Sequence, residues 1–440
     1  MRRAGGSARR PVKTTRPGEG AANGVDYHRS MPSRPADLAG SVELDGDGRQ
    51  SAGPGRQVRV LRSVPELGSV REAWLRLQGD QIYTDPDFYE VSQLDPAVVR
   101  PHVVVLEREG EVEAMLVARI EQLRLPSRLG YRSVYAPEVR SISVVYGGVL
   151  GGDEDAFRAL LGSVRASLAQ KEADIAIFRY LPVESEYYRI GSAELPFLGR
   201  QHLGESELHW EIELPGSIED LLGLCSTKSR RNLVSYARKL ERTYEGRLAV
   251  RKYTRPDEID DFFRDIEAVA PMTYQDALGV ALRDTPVHRA RTELALRRGW
   301  FRGYVLTVDG RPCSFQYGEL YRGRFRLGRP GYDPALAQLR IGTYLLMKAL
   351  DDLCQDDEAR VVDRGTGEGP HKERFATNSW PEGNVIVYAP TFRGARINLT
   401  RTVFEWLIGT TKRVAGRGEL ARSLKKRFRR RASSSSDASR

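Results

Sequence analysis

Cysteine is scarce in this chain, with three residues in 440. Cys225, Cys313 and Cys354 are widely separated and show no paired spacing. That removes a disulfide framework and a thiolate metal site from consideration, and it suits a reducing compartment. Histidine is also sparse, six residues without an HxH or HxxxH pair, so no zinc site is predicted. Long apolar runs are missing as well. None approaches the roughly 20 residues a membrane span needs, and the N-terminal arginines are not followed by the apolar stretch of a secretory signal. These absences together predict a cytoplasmic, metal-free protein.

What is present fits a soluble globular protein more than a nucleic-acid binder. Hydrophobic residues make up 40% and charged residues 29%, and the length allows two ordinary domains with tails. The net charge of +10 is unevenly placed. Residues 1–56 hold 10 Lys/Arg against 6 Asp/Glu, and residues 412–440 hold 11 against 2. The stretch between them is therefore mildly acidic, with −3 of the total. A DNA-binding fold would carry its basic face on the folded body, so no DNA partner is expected.

Residues 1–56 are rich in Gly, Pro, Ser and Arg without apolar periodicity, which predicts disorder. From Val58 onward strands and helices alternate in an α/β (α+β) pattern. A strand at Val58, a helix over Val64–Leu77, a hairpin turning at Glu109-Gly110, a strand at Ser141–Leu150, a helix at Glu154–Gln170 and a strand at Ile175–Tyr180 form the first half. The order then recurs. A strand at Leu208–Leu214 and helices at Ser217–Leu224 and Ser229–Thr243 lead into Arg247–Tyr253 and the helices Pro256–Ala270 and Pro286–Arg298. A hairpin around Asp309-Gly310, a strand Arg324–Gly331, a helix from Ile341 to Cys354 and a short strand Val361–Asp363 follow. The domains predicted are 57–205 and 206–411, two similar halves of mixed sheet flanked by helices, with a basic, Ser-rich tail at 412–440. One large irregular sheet is the alternative.

Two segments could carry chemistry. In GYDPALAQLRIGTYLLMKALDDL a strand ends near Gly331-Tyr332-Asp333, Pro334 stops it, and Gly342 opens an amphipathic helix. The free N–H groups of a helix start attract anions, and glycine lets a phosphate come close to the backbone. Arg340 beside it could neutralise one phosphate, though an ordinary helix start has the same pattern. In VVDRGTGEGPHKERFA an apolar strand delivers Asp363 to Gly365, Gly367 and Gly369, followed by His371-Lys372. This is either a ligand-wrapping loop or a surface turn; no GxGxxG helix or Gly-Lys-Ser/Thr follows, so Rossmann and P-loop readings fail. The helix Lys228–Arg242 presents Arg230, Arg231, Arg238 and Arg242 opposite Leu233 and Leu240, as a solvated face or as a basic wall for an anionic ligand.

GYDP, Gly342 opening an apolar helix, Asp363-x-Gly365-x-Gly367 and Lys372-x-x-Phe375 together resemble GNAT-superfamily proteins of the cellulose-biosynthesis and BioF-type acetyltransferase-like family. These are relatives of the Fem peptidoglycan aminoacyltransferases. SRRNLVSYARKLER, VDGRPCSFQYGELY and TDPDFYE fall where that family has equivalents, and the resemblance spans about 57–400. It implies two tandem GNAT-like halves and N-acyl transfer from acyl-CoA, acetyl-CoA first, to an amino group of a sugar, envelope precursor or small metabolite. It also implies site residues. Asp363 or Glu368 would be the base, with Asp333 a third candidate, and His371 a base or acid. Arg340, Gly342, Thr343 and Lys372 would hold the coenzyme. The family commonly has Tyr-Lys where this chain has His371-Lys372, and Gln338–Gly342 offers one glycine where a fuller phosphate motif has more. Fem-type transfer from charged tRNA is the alternative within enzymes, but the long helical hairpin is missing. A non-catalytic accessory role in envelope polysaccharide assembly is the alternative outside them.

Beyond the apolar Thr402–Ile408, RSLKKRFRRR sets seven basic residues around Leu424 and Phe428. Such a cluster binds anionic lipid at about 1 kcal/mol per basic residue, which would hold the protein at the inner face of the membrane near a lipid-linked acceptor; a solubilising tail is the other reading. The full chain is expected to float with acidic liposomes and a 1–411 truncation to stay behind. Equal flotation of the two would remove the tail from any membrane role.

Overall fold

The computed structural model describes residues 50–415 except 52–54, 130–131, 278, 280 and 368. The segment predicted to be disordered lies almost wholly outside these residues, as does the basic cluster Arg422–Arg431.

In the first half, the short strand β1 (Gln50–Ser51) and β2 (Arg56–Leu61) precede α1 (Val64–Leu67), α2 (Arg71–Leu77) and α3 (Pro86–Val91). The single helix expected over Val64–Leu77 is interrupted at Gly68–Val70 by a 3-10 turn, where Gly-Ser lowers helix propensity. Next come β3 (Val98–Arg108), β4 (Glu111–Arg124), the small hairpin β5 (Ser127–Leu129) and β6 (Arg132–Tyr135), then β7 (Glu138–Gly151), α4 (Glu154–Ala169), β8 (Ile175–Pro182) and α5 (Glu186–Ala193). In the second half, β9 (Ser206–Glu213) leads to α6 (Ile218–Leu224), α7 (Thr227–Thr243), β10 (Leu248–Tyr253), α8 (Ile259–Val269), α9 (Tyr274–Ala277) and α10 (Pro286–Arg297). The strands β11 (Phe301–Val308), β12 (Arg311–Tyr321), β13 (Arg324–Leu327) and β14 (Gly331–Tyr332) follow, then α11 (Ile341–Cys354), β15 (Val361–Thr366), α12 (Pro370–Glu373), β16 (Asn378–Tyr388) and α13 (Phe392–Ala415).

Both hairpin turns fall at the expected dipeptides. Glu109-Gly110 and Asp309-Gly310 have positive φ at both positions (53° and 87°; 51° and 75°), the backbone that joins right-twisted antiparallel strands by two residues.

All the strands except the separate β5-β6 hairpin form one continuous mixed sheet, ordered β1-β2-β3-β4-β7-β8-β16-β9-β15-β13-β12-β11-β10, with β14 paired to β12. The expected recurrence is visible inside it. β2-β3-β4-β7-β8 and β10-β11-β12-β13-β15 each make three antiparallel steps and then a parallel one. The parallel step needs a crossover, supplied by α4 in one half and α11 in the other. β16 and β9, antiparallel to each other, join β8 to β15.

Helices cover both faces of each half. Phe157, Leu160 and Val164 of α4 pack on Leu106, Leu116 and Phe178, while Trp74 and Tyr89 cover Val103, Val105 and Val117 on the other face. In the second half Leu346, Leu350 and Leu353 of α11 lie against Phe325, Leu320 and Val362, and Phe262, Phe263 and Ile266 of α8 against Phe301, Val305 and Phe315. Each large side chain buried this way contributes about 1.5–3 kcal/mol. Packing this dense fixes the strand ends, and with them the features below.

Candidate active site

β13 and β15 stay paired only from Arg324–Arg326 against Val361–Asp363. Beyond that point they part. The chain after β13 falls back on β12 as β14, whereas β15 continues until Thr366 stands opposite His209 of β9. The segment expected as a glycine loop is thus partly strand, with Gly365 (φ 66°) and Gly367 (φ 114°) providing the irregularity.

α11 starts beside this wedge. Arg340 takes the left-handed conformation (φ 58°, ψ 34°), the helix has no side-chain cap and no acidic residue in its first turn. A Cβ on Gly342 would lie 3.3 Å from the Tyr332 ring, so glycine keeps this corner open. Gln316 of β12 donates to the Gly342 carbonyl at 3.4 Å, and its own carbonyl oxygen is buried without a partner. An uncapped helix start with a nearby cation and a spare acceptor fits the pyrophosphate and amide arm of a coenzyme A thioester. The equivalent start in the first half does not. There Asp153 caps the Ala156 amide at 2.8 Å, and Glu154 and Asp155 follow in the first turn, which repels an anion.

The expected site residues are not all brought together. Gly342 and Thr343 are half-buried at the helix start, and Arg340 is exposed, its guanidinium 5.8 Å from the Tyr236 ring of α7. Asp333 caps a 3-10 turn by accepting from the Ala335 amide at 2.8 Å. Lys372 donates to the carbonyls of Gly365 (3.3 Å) and Thr366 (2.5 Å); burial, with help from Arg364, lowers its pKa. It clamps the glycine segment. His371 lies in α12, and Glu368 is outside the described residues. The α7 arginines Arg230, Arg231, Arg238 and Arg242 line an open groove with Glu219, Glu241 and Glu245. Neither Arg340 nor Gly342 lines that groove.

Asp363 is placed at the centre of the sheet, in a group with no solvent access to speak of. His209, Asp363 and Glu382 are 1%, 3% and 3% exposed. His209 Nε2 is 3.0 Å from Asp363 Oδ1, and Nδ1 is 3.0 Å from Glu382 Oε2. Nδ1 is hydrogen-bonded to Glu382, while Asp363 faces Nε2 as a nearby charge, and a carboxylate beside each ring nitrogen favours the doubly protonated ring. Burial alone would lower the His209 pKa, but the two carboxylates outweigh it and raise it to about 9. Burial would raise Asp363; His209, the Gly365 amide and Arg324 hold it below the usual carboxylate range instead. Glu382 further accepts from the Tyr146 hydroxyl (3.1 Å) and the Trp380 indole (2.9 Å). The Trp380 ring stacks on His209 at 4.6 Å, and Tyr146 lies on its other flank at 6.0 Å. Arg324, paired to Glu211 and to Asp80 (2.8 Å), closes the group. Its members come from β7, β9, β13, β15 and β16.

His209, Glu382, Tyr146 and Arg324 are not among the residues singled out from the sequence. The available signal was slight: in the alternating strand SELHWEIE, His209 falls on the polar positions with Glu207, Glu211 and Glu213, where a solvated residue is the ordinary reading. Among the described residues no group of three or more His, Cys, Asp or Glu could hold a metal ion, and no helix is long and apolar enough to cross a membrane.

Residues 227–373 match the profile of an acetyltransferase (GNAT) domain, a span that contains α7, α11 and β15. Among solved structures, FemX aligns at 9% identity over 72% of this chain and 95% of its own (TM-score 0.48). A tandem GNAT protein from the clavulanic acid biosynthesis pathway aligns at 12% over 76% and 99% (TM-score 0.43). L-PGS from Bacillus licheniformis aligns at 12% over 80% and 98% (TM-score 0.44). No curated protein matches in sequence. The GNAT acetyltransferase domain marks the chain as an acyltransferase.

The buried imidazolium makes stability depend on pH. The folded pKa of His209, about 9, lies above the ordinary 6.5, so its contribution is complete below about 6.5 and is lost as pH rises through 9. Urea unfolding is expected to show a fall on the order of 3 kcal/mol between those limits. His209→Gln should be less stable throughout and lack that slope; a variant as steep as the parent would show that the slope comes from elsewhere.

Proposed function

We propose that the protein transfers an acyl group, acetyl in the first instance, from acyl-CoA to an amino group at the wedge between β13 and β15. The observation that carries this reading is the contrast between the two crossover helices. α4 begins with Asp153, Glu154 and Asp155, whereas α11 begins uncapped behind Arg340 and Gly342, so only the second half offers an anion a helix start. Within the GNAT superfamily, the order of GYDP, Gly342, Asp363-x-Gly365 and Lys372 supports kinship with the cellulose-biosynthesis and BioF-type branch. An amine on a sugar, an envelope precursor or a small metabolite would be the acceptor, with the basic tail as a membrane tether.

The thioester supplies the activated acyl carbon. The first-turn amides of α11, with Arg340, would neutralise the pyrophosphate, and the Gln316 carbonyl would accept from an amide of the coenzyme arm. The amine must lose a proton as it attacks. Asp363, committed to His209 and Arg324, serves this poorly and is better read as a positioning residue. Tyr146 is only partly buried, and its hydroxyl proton points to Glu382, which leaves the oxygen lone pairs to accept from a substrate ammonium. Carboxylates outnumber cations behind it, since Asp363, Glu382, Glu211 and Asp80 surround only His209 and Arg324. A positive amine is thereby drawn in, and its proton can pass through Tyr146 to Glu382.

Calorimetry with acetyl-CoA and longer acyl-CoA thioesters tests the donor. One site per chain is expected, weakened tenfold or more in Gly342→Glu with the fold unchanged by circular dichroism; absence of heat for every thioester would overturn the proposal and favour an accessory role.

For the proton path, Tyr146→Phe should reduce kcat in a thiol-release assay by about 100-fold and leave the KM for acyl-CoA unaltered. Undiminished kcat would dismiss Tyr146 and Glu382 as the route.

A further inference from the structure

Arg291 is a half-buried cation without an ion-pair partner among the described residues. It stands on α10 where that helix leans on α3, and among the described residues no carboxylate lies within ion-pair distance of it. Its Nε donates to Ser92 Oγ at 3.0 Å, and its guanidinium sits 5.8 Å from the Phe88 ring. Neither partner carries a charge. Two further arginines add to the positive charge felt at Arg291, Arg119 from β4 and Arg326 from β13, and each already has its own carboxylate, Glu121 and Glu319. Arg326 also lies 5.1 Å from the Tyr83 ring, and Tyr83 meets Tyr146 edge-on at 6.5 Å. Phe88 meets Tyr83 edge-on at 6.0 Å, so two aromatic rings link the unmatched cation to the hydroxyl assigned to the acceptor amine.

Removing a guanidinium from water without an anion is unfavourable, and the charged form suffers further when cations surround it. Burial, Arg119 and Arg326 accordingly lower the Arg291 pKa, with Tyr83 and Asp95 opposing. A protein gains no stability from such an arrangement, but a bound anion would offset the whole desolvation cost through a planar, bidentate contact. Glu121 and Glu319 are held by Arg119 and Arg326, and Asp95, which accepts from the Ala97 amide, acts on Arg291 without forming an ion pair with it.

We infer that Arg291 is the recognition site for an anionic group on the acceptor, so the substrate is an amine that also carries a carboxylate or phosphate. The inference rests on the acyl-transfer reading for the word acceptor, while the anion site itself does not depend on it. The geometry orders the substrate: the anion lies at Arg291, the body runs along the Tyr83 ring, and the ammonium reaches Tyr146. Neutral amines and polyamines would bind without this anchor and turn over poorly.

Inorganic phosphate and acetate, titrated separately into the full chain and followed by calorimetry, test the site. Phosphate or acetate should bind the parent, keep the Arg291 site in the Gly342→Glu variant, whose helix-start site is closed, and bind Arg291→Gln at least tenfold more weakly at that site, the loss expected for one charge-assisted contact. The tighter of the two anions identifies the acceptor's group. Acyl-CoA binding should persist in Arg291→Gln; its absence from the parent would overturn the transfer reading and leave the anion site standing. Should Arg291→Gln fail to fold, phenylglyoxal labelling of the parent gives the answer without a variant, because phosphate or acetate should protect Arg291 and spare Arg230 no labelling. Equal anion affinity in the parent and Arg291→Gln, or labelling of Arg291 indifferent to both anions, would overturn the inference.

Discussion

The sheet depends at its centre on one imidazolium held between two carboxylates. His209 occupies β9, Asp363 β15 and Glu382 β16, so the contact spans the three strands where the halves meet. Remove the histidine and two buried carboxylates face each other in a low dielectric, a situation that costs several kcal/mol when one partner of a buried pair is lost. An apolar trio would hold the strands together as well. It would not hold Glu382 under the Tyr146 hydroxyl, nor fix Asp363 so that its oxygen accepts from the Gly365 amide at 2.7 Å. The ionic choice makes sense as a device for orientation, setting both the wedge and the hydroxyl from a single point.

The two halves share a course but not a surface chemistry. Each crossover helix packs its apolar stripe on the same kind of sheet, yet only α11 leaves its first turn open. The difference lies in three acidic residues at the start of α4 against an arginine and a glycine at the start of α11. Topology gave both halves a potential anion site, and side-chain charge closed one of them. The closed half still contributes, since its Tyr83 touches Arg326 of the second half and its Tyr146 donates to Glu382.

Much of this was legible in the chain. Hairpins announced themselves through Glu-Gly and Asp-Gly, and α11 follows its apolar stripe from Ile341 to Cys354 as expected. Local signals suffice there because the turn or the stripe is complete within a few residues. β16 escapes the same reading, for Pro381 and Gly383 interrupt its alternation. The centre of the site escapes it for a different reason. His209 meets partners 154 and 173 positions away in the chain, and neither Asp363 nor Glu382 differs locally from a solvated acid. Asp363 could be picked out by its glycine neighbours, but its role could not: a strand-end carboxylate reads as a base until a buried cation is seen against it.

β16 has a consequence for how the molecule is made. It is the last strand among the described residues, yet it lies in the middle of the sheet, between β8 and β9. While the ribosome is still at work, β8 and β9 therefore present adjacent unpaired edges, each a template for a foreign strand. The amino-terminal half cannot be finished as an independent unit before the carboxyl-terminal segment emerges, so assembly is concerted and of high contact order. A protein of this size that folds from its margins inward, with its keystone inserted last, is one for which the growing chain needs shelter.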